Sequence, residues 1–521
     1  MKVDAADGEP RRYPHYVLGV LVLVYVLNFV DRQILSILNE EIKRDLRLGD
    51  AQMGFLYGTA FAVFYALFGI PLGRLADVWV RRTVIALSLG VWSAMTALSG
   101  LARSFPELAA ARIGVGVGEA GASPAAFSLL SDYYSSARRA TALALYSSGI
   151  YLGAGLGLMI GGQVVHRWDG TFAGGRTPFG LRGWQVAFFV VGLPGLLLAL
   201  WVRSLREPLR GAADGMVAVQ PAEASPLREF VRELGAVVPP FGIGRLVWAG
   251  AGGRRIAANL TAAVGSAAAA AALIRAVGDT AQWSALAIGL YAAVTWAQSL
   301  ALRDRPAAAL ILGTPSLRWT GLGLALLAFT GYGVGYWTTP FFLRVHHLPI
   351  ERAGFALGGT AAAAGWLGIA LGGVLADAWR RRDPRGRLFI AMAAAALPLP
   401  LLPWMLTTRN TGLALGLNFP LAAAGSMWIG VGAATVQDLV LPRMRATASA
   451  AYLLLNAFIG LAMGPYTIGH LSDAFGLRNA MLCGLVANGA ALICLVRAAH
   501  RLAADEKSLR DRAHAAGEPA L

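Results

Sequence analysis

The stretch "GRLAD" at residues 73–77 returns 300 positions later as "GVLAD" at residues 373–377. A second stretch, "DYYSSARRATALA" at 132–144, returns 306 positions later as "DLVLPRMRATASA" at 438–450. Two unrelated matches at nearly one offset indicate an internal duplication. The repeat therefore predicts two homologous halves, related by an axis along the membrane normal.

Composition explains why a membrane is involved. Of the 521 residues, 56% are hydrophobic and only 14% are charged. Apolar runs of roughly 20 residues, enough to cross a bilayer core, recur along most of the chain. A soluble protein of this length would show shorter amphipathic patterns broken by polar loops. We therefore predict an all-α polytopic membrane protein.

Fourteen apolar spans organise the chain into two sets of six, separated by a different central stretch. The predicted domains are an N-terminal six-helix bundle (1–204), a cytoplasmic linker (205–316), and a C-terminal six-helix bundle with a cytoplasmic tail (317–521). Within the linker, two weaker spans at about 256–274 and 281–302 predict an extra helix pair. Their composition is compatible with a transmembrane hairpin and with an interfacial one.

The excess of positive charge concerns orientation. Lysine and arginine number 45 against 29 aspartate and glutamate, a formal charge of +16. Arginines cluster in alternate loops, as in "RRRDPRGR" at 380–387, which by the positive-inside rule places both termini in the cytoplasm. We expect a bacterial inner-membrane protein, present as a monomer, and no nucleic-acid partner.

Four charges lie inside predicted spans: Asp31 and Arg32 in the first, Arg112 and Glu119 in the fourth. Neighbouring helical residues point about 100° apart, so Asp31 and Arg32 do not neutralise each other. Counting about 1.5 Å per residue places Asp31 and Arg112 at similar depth, with Glu119 nearer the midplane. Intramembrane charges cost upwards of about 2.5 kcal/mol each, which favours a cavity over a lipid-facing surface.

We predict a network in which Asp31 pairs with Arg112, while Glu119 pairs with Arg32 or takes a proton. Burial disfavours the charged carboxylate and arginine favours it, so protonation can follow access to either side. Arginine also binds phosphate and carboxylate groups strongly, so an anionic substrate can compete for it. The alternative is a static salt-bridge cluster that only fixes helix packing.

The stretch "GRLADVWVRR" at 73–82 resembles the loop motif between the second and third helices of the major facilitator superfamily. Gly73, Asp77, Arg81 and Arg82 match that motif, while Val80 stands at the position where the family usually has glycine. The second copy matches through Asp377, Arg381 and Arg382. The resemblance implies a cytoplasmic gate latched by these charges; the alternative is a set of loop charges that fix topology.

A narrower resemblance, to the Spinster branch of this superfamily, rests on "NFVDRQILSILNEEIKRDLRLGDAQMGFLYGTAFAVFYA" (28–66), "ARIGVGVGEAGASPAAFSLLSDYY" (111–134) and "LLLNAFIGLAMGPYTIGHLSDAFG" (453–476). It implies an alternating-access transporter, proton-linked or facilitative, with a lysophospholipid or sphingolipid type of substrate. The run "GVGVGEAG" at 114–121 also looks like a phosphate-binding loop, but its place inside a span favours close helix packing.

Weaker candidates lie in the second half. Tyr332, Tyr336 and Trp337 line a cavity for an alkyl chain or belong to the interfacial aromatic belt. Asn456 contacts substrate or bonds between helices. Few arginines lie inside the C-terminal spans, which favours an amphipath with one charged end.

Other functions stay open as alternatives. One is a carrier for a small organic anion or drug-like amphipath. A more remote one is an integral-membrane lipid enzyme, but no nucleophile with a base, acid pair or metal cluster is evident in the sequence. We therefore predict no enzymatic activity, no catalytic residue, no metal site and no cofactor, with protons, the bilayer and a lipid-like or organic-anion substrate as partners.

Overall fold

The computed structural model describes residues 12–173, 177–210, 213, 225–237 and 241–518. Within them, thirteen helices are long and apolar enough to cross a membrane, and a bent pair adds a fourteenth span. The helices are α1 (Tyr13–Ile37), α2 (Asp50–Val78), α3 (Arg81–Ser99), α4 (Phe105–Tyr133), α5 (Ser136–Thr171), α6 (Gly183–Arg203), α7 (Gly253–Val277), α8 (Thr280–Arg303), α9 (Arg305–Gly313), α10 (Pro315–Val345), α11 (Ile350–Arg380), α12 (Gly386–Thr407), α13 (Thr411–Asp438), α14 (Thr447–Phe475) and α15 (Leu477–Lys507).

The predicted all-α class and the number of spans are confirmed, and helix ends differ from the predicted ones by a few residues. Both members of the central pair, α7 and α8, have the length and composition of membrane-crossing helices. The linker before them contains two short amphipathic helices, Pro226–Val237 and Phe241–Trp248. Parts of the predicted linker (211–212, 214–224 and 238–240) lie outside the described residues.

The short helix α9 changes the path of the chain into the second set of six. It is inclined by 60° to α10, the span that follows it. Asp304 caps its N-terminus by accepting a hydrogen bond from the Ala307 backbone at 3.0 Å. The next helix starts at Pro315, which suits a first turn because proline has no amide proton to leave unpaired.

The chain divides into two compact units, each composed of segments that are distant in sequence. Unit 1 takes the described residues up to Ile42 together with Phe64–Gly235 and Ile350–Gly358. Unit 2 takes Lys43–Val63, Ala236–Pro349 and the described residues from Gly359 onwards. The central pair α7–α8 thus belongs to unit 2, as does the first part of α2.

In unit 1, a glycine ridge on α5 packs α5 tightly against α1. A Cβ added at Gly153 would lie 2.3 Å from the Val26 carbonyl oxygen, and one at Gly157 would lie 2.9 Å from that of Val30. Because glycine alone permits such an approach, the two backbones pack directly against each other. This packing fixes the rotation of α1 and hence the direction of its charged residues.

The glycine run 114–121 holds α4 against α3 in the same way. A Cβ at Gly118 would lie 2.6 Å from the backbone nitrogen of Trp92. The run forms the end of one helical segment of α4, which reaches Glu119, and the start of the next at Ala122. Close helix packing, rather than phosphate binding, therefore accounts for these glycines, and it places Glu119 beside the packed interface.

Unit 2 has a large apolar core formed by α10, α12, α13 and α15, with Leu324, Leu388, Val436 and Leu495 fully or nearly fully buried. Helix α14 packs on α10 through Gly464, where a Cβ would lie 2.3 Å from the Phe329 carbonyl oxygen. Between Asn456 and Ala462, α14 widens into a π-helical turn. Such turns are rare inside α-helices and often lie at functional sites.

Candidate functional site

The centre of the candidate site is an ion pair inside the membrane-spanning part of unit 1. Arg32 Nε on α1 donates to Glu119 Oε2 on α4 at 2.6 Å. The glutamate side chain is fully buried and the arginine side chain is 17% exposed. The Arg32–Glu119 ion pair therefore joins α1 to α4, and its arginine side chain is partly exposed.

Asp31 and Arg112 also come together, and the Arg112 guanidinium is close enough to act electrostatically on the Asp31 carboxyl. Arg112 Nη1 donates to the backbone carbonyl of Asp31 at 3.4 Å, and both residues are 1% exposed. The sequence predicted that Asp31 and Arg112 lie at similar depth in the membrane, and the structure places them in contact. Residue counting does not determine whether the guanidinium meets the carboxylate or the backbone.

Each of the two carboxyl groups keeps one buried oxygen without a hydrogen-bond partner in the described part of the chain. These oxygens are Asp31 Oδ1 and Glu119 Oε1. The two groups are also close enough to repel each other electrostatically when both are charged. A buried carboxylate with an unsatisfied oxygen is costly, and adding a proton removes the charge that makes it so. The arrangement is thus chemically suited to holding a proton.

Aromatic rings surround the arginine of this pair, a feature that we did not predict. The Arg32 guanidinium carbon lies 4.9 Å from the ring centroids of both Phe29 and Tyr65. Behind them, Tyr25 stacks on the buried Tyr146 at 4.3 Å. Tyr25 and Phe29 lie one turn apart on α1 and three to seven residues before Arg32, so helical spacing contained a signal for this cluster. We call Tyr25, Phe29, Tyr65 and Tyr146 the aromatic cluster.

Among other polar residues that we did not predict, Asn28 lies one turn before Arg32 on α1. It is 4% exposed and interacts with Glu119. Thr96 and Trp92 on α3 are fully buried near Asp31. These uncharged groups surround the four charges but are common inside helical membrane proteins, so their types alone gave little signal.

The aromatic residues predicted on α10 divide into two groups. Tyr332 is 37% exposed, whereas Tyr336 and Trp337 are completely buried. Trp337 Nε1 donates to the Pro465 carbonyl at 2.8 Å, and Tyr336 stacks on Tyr57 at 4.2 Å. In this structure Tyr336 and Trp337 are therefore packing residues, and only Tyr332 has the exposure that a cavity lining requires. Asn456, also proposed as a lining residue, is 9% exposed and begins the π-helical turn of α14.

The predicted latch of the first loop involves different acids from those expected. Arg81 is fully buried and pairs with Asp132 and with Glu207, the latter at 2.8 Å. Arg82 donates to the Leu205 carbonyl, and its backbone nitrogen bonds Glu207 at 3.0 Å. Both arginines of the motif are thus held by the ends of later helices.

Asp77, by contrast, takes no part in this network. Its side chain is 61% exposed, and within the described residues its one ion-pair contact is with Arg74 at 3.8 Å. At Gly73, an added Cβ would meet only the Pro124 side chain, at 4.0 Å, so no close approach requires glycine there. The role of Asp77 as the latching acid therefore stays a prediction, and in this structure the end of α2 leaves its side chain in solvent.

Arg210 occupies the end of α2 near this loop. Its Nη2 donates to the carbonyls of Ala76 and Trp79 at 2.7 and 2.8 Å, which caps the C-terminus of that helix. Burial, together with the neighbouring Arg81, lowers the pKa of the Arg210 guanidinium. The loop thus concentrates positive charge on the carbonyl end of α2, where the helix dipole favours it.

The second loop repeats this network with a different register. Arg387 pairs with Asp438, and Arg380 pairs with Glu506 at 2.8 Å and with Asp438 at 3.4 Å. Asp377 is 67% exposed, with a 3.5 Å contact to Arg387. Arg381 and Arg382, which we predicted as latch residues, are exposed. The latch role of these two arginines stays a prediction, and in this structure the turn after α11 directs them to the surface.

Residue numbers explain the shift of register. Arg387 and Asp438 each lie 306 positions after their counterparts Arg81 and Asp132, whereas the "LAD" repeats are 300 apart. The second loop is therefore six residues longer. At the same offset Val80 corresponds to Gly386, where a Cβ would lie 2.4 Å from the Trp379 carbonyl carbon. The glycine of the loop motif is thus present in the second half, after the inserted residues.

A further buried acid, Asp50, organises the start of α2 within unit 2, and we did not predict it. It accepts hydrogen bonds from Arg344 at 2.6 and 2.7 Å, from Lys43 at 2.6 Å and from Ser472 at 2.6 Å. Asp473 in turn accepts from the backbone nitrogens of Asp50 and Ala51, both at 2.9 Å. The segment before Asp50 carries charges of both signs, so the sequence did not distinguish Asp50 from its neighbours. Sequence alone also does not show which distant arginine lies beside it.

Candidate metal ligands are sparse: the described residues contain no group of three or more histidine, cysteine, aspartate or glutamate side chains arranged to hold an ion. What the site offers is two arginines, two carboxyl groups and an aromatic cluster. These groups bind anions, protons and apolar surfaces.

Comparison with known proteins agrees with this geometry. The family model described as "Major Facilitator Superfamily" matches residues 21–465. An "MFS-type efflux pump" of Mycolicibacterium smegmatis is 29% identical over 501 residues, which cover 95% of this chain and 92% of that protein. The "Protein spinster" of Drosophila melanogaster is 22% identical over 88% of this chain and 62% of its own length.

Among solved structures, a bacterial homologue of the human lysosomal transporter Spinster, in an inward-facing and occupied conformation, superposes with a TM-score of 0.68. It is 26% identical, and the match covers 97% of this chain and 99% of that one. The resemblance to Spinster proteins predicted from the sequence is thereby confirmed. The chain is an integral membrane protein and belongs to the Major Facilitator Superfamily of transporters.

Proposed function

We propose that this protein is a secondary active transporter that moves an amphipathic, anionic, lipid-like substrate by alternating access, coupled to protons. The observation that carries the proposal is the Arg32–Glu119 pair, which borders the aromatic cluster and lies beside the buried Asp31. A cation next to aromatic rings suits a molecule with an anionic head and an apolar body.

The coupling step follows from competition for Arg32. A phosphate or carboxylate head group that binds the guanidinium displaces Glu119, which then lies buried without its cation. A buried, unpaired carboxylate is strongly disfavoured, so Glu119 takes up a proton. Release of the substrate returns Arg32 to Glu119 and frees the proton. Asp31, with its own unsatisfied oxygen, is a second proton acceptor at the same depth.

The loop networks supply the conformational part of the proposal. Both halves hold an arginine at the start of a helix (α3 or α12) against an acid at the end of another (α4 or α13). Such networks stabilise one arrangement of helix ends and must open in the other. We assign these ends to the cytoplasmic side, which places both termini in the cytoplasm.

Cargo of another type is the second candidate. A galactarate/D-glucarate transporter of Bacillus subtilis is 30% identical over 219 residues, 40% of this chain and 45% of that protein. The relative from Mycolicibacterium is named as an efflux pump, without a stated substrate. A small dianion is best held by several arginines, whereas Arg32 here faces aromatic rings, and that contact favours the amphipath.

Transport by the purified protein in liposomes tests the proposal. A panel of fluorescent lysophospholipid, sphingoid phosphate and galactarate is offered at several pH values to the wild type and to Glu119→Gln and Asp31→Asn. We expect saturable transport of the amphipaths, with pH dependence reduced in both variants. Glu107→Gln, on the same helix but exposed, is the matched control. Unchanged pH dependence in both variants would remove the coupling, and transport of galactarate alone would remove the lipid-like cargo.

A further inference from the structure

The second helix of the central pair, α8, forms one wall of a cavity against helices of the C-terminal half. Within unit 2, a cavity of about 240 Å³ lies between α8, α9, α10, α13 and α14. It accommodates a segment of an alkyl chain rather than an entire lipid.

Its walls are apolar. They include Trp296 of α8, Ile311 and Leu312 of α9, and Tyr452 and Leu455 of α14. Leu312 and Leu455 are 42% and 39% exposed, which shows that the cavity opens to the surface of the unit. An apolar opening of this kind suits a hydrocarbon chain better than water.

One charged residue lines the cavity, Arg318 in the first turn of α10. It is exposed, and the described part of the chain shows no acid paired with it. A guanidinium at the mouth of an apolar cavity complements a molecule with an anionic head and a hydrocarbon tail. Basic pockets between membrane helices are known to bind anionic lipid head groups.

The wall contributed by α8 is held firmly in place. At Gly289 an added Cβ would lie 2.2 Å from the ring of Phe458 in the π-helical turn of α14. At the other end, Tyr466 donates to Asp279 at 2.8 Å. Between α7 and α8, the fully buried Asn259 donates to Gln298 at 2.8 Å and to Thr295 at 3.0 Å. These contacts fix the hairpin against α14.

The wall contributed by α9 is anchored at both of its ends. At the start of α9, Arg443 pairs with Asp304 and Glu518. The hydrogen bond that Arg443 donates holds the pKa of the Asp304 carboxyl below its usual range. At its end, Arg512 of the C-terminal segment bonds Thr314. A site whose walls are already fixed loses little conformational freedom on binding.

We infer that this cavity is a binding site for an anionic phospholipid of the surrounding bilayer, with an acyl segment inside and the phosphate on Arg318. The bilayer is the source because α7 turns an apolar surface outward, with Leu260 and Val264 51% and 68% exposed. The cavity belongs to unit 2, whereas Arg32 and Glu119 belong to unit 1. The lipid joins the hairpin to the ends of α10 and α14.

Native mass spectrometry of the full-length, delipidated protein tests this inference. Dioleoylphosphatidylglycerol and dioleoylphosphatidylcholine are titrated separately, and we expect the anionic lipid to bind roughly tenfold more tightly. Arg318→Gln abolishes this preference and Arg318→Lys keeps part of it. The control Arg305→Gln, an exposed arginine at the far end of α9, retains it fully. Ala297→Trp, which fills the cavity from α8, weakens both lipids.

Two further arms separate the sources of the ligand. Millimolar inorganic phosphate does not displace the lipid if the acyl segment contributes, and Glu119→Gln leaves lipid binding unchanged if the transport site is a different one. The inference is overturned if Arg318→Gln binds phosphatidylglycerol as the wild type does. It is overturned equally if phosphate displaces the lipid completely, or if Glu119→Gln abolishes binding.

Discussion

The two halves of the chain share their loop networks but differ inside the membrane. Arg81 with Asp132 and Arg387 with Asp438 are equivalent pairs, 306 positions apart. At the same offset, however, Arg112 corresponds to Asn418 and Glu119 to Gly425. The duplication thus preserves the helix-end contacts, while the cluster of Asp31, Arg32, Arg112 and Glu119 lies on α1 and α4 of the first half and is not repeated at these two positions.

This difference suggests that the helix-end charges and the intramembrane charges have different functions. A helix-end network that recurs in both halves serves the shared fold and its movement. We propose that the charge cluster present in one half serves the chemistry of transport, because intramembrane charges are costly and tend to mark functional sites.

The largest effect is expected at the Arg32–Glu119 pair. Arg32→Gln leaves Glu119 buried without its cation, which should lower the free energy of unfolding by about 3–5 kcal/mol. Adding Glu119→Gln removes the stranded charge and should restore at least half of that loss. Thermal and denaturant unfolding in detergent measure both variants, with the exposed Arg103→Gln as control. A double variant as unstable as the single one would show that the two side chains are not coupled.

An intermediate effect is expected at the loop networks, and it sharpens the comparison between the halves. Arg81 is 1% exposed and Arg387 is 20% exposed in their side chains. Arg81→Gln should therefore cost about 2–4 kcal/mol, because two acids lose a buried partner, and Arg387→Gln about 1 kcal/mol. The same unfolding assay compares them. Equal losses would mean that burial does not distinguish the two networks.

The smallest effect is expected for the acids of the repeated "LAD" stretches. Asp77 and Asp377 are largely exposed, so Asp77→Asn and Asp377→Asn should each change stability by less than about 0.5 kcal/mol. Asp132→Asn removes the acid that pairs with the buried Arg81, so it should lower the free energy of unfolding by clearly more than Asp77→Asn or Asp377→Asn. Transport by Asp77→Asn should stay within about twofold of wild type. A large loss there would restore Asp77 as the latch acid.

The sequence predicted how deep the charged residues lie in the membrane better than it predicted the direction in which their side chains point. Apolar run lengths and the repeat were sufficient for the spans, since a bilayer imposes a fixed length on each helix. Rise per residue placed Asp31 near Arg112, whereas the pairing of Glu119 with Arg32 was one of two alternatives and did not follow from depth. Helix rotation is set by glycine contacts such as Gly153 on Val26, and these depend on partners far away in the chain.

What the sequence missed involves long-range partners. The acids that hold Arg81 and Arg387 lie at the ends of other helices, and the six extra residues before Arg387 shift the motif register. In the sequence Asp50 does not differ from the neighbouring charges, and its role is evident only because the structure places Arg344 and Ser472 beside it. The predicted monomer, cytoplasmic termini, proton coupling and lipid cargo stay predictions.

Proton-driven accumulation tests the central claim most directly. Liposomes containing the protein are given a pH gradient and a fluorescent lysophosphatidylglycerol, and both net accumulation and exchange without a gradient are measured. We predict that the wild type accumulates the probe, while Glu119→Gln exchanges it but does not accumulate it. Gradient-driven accumulation by Glu119→Gln at the level of the wild type would contradict the account.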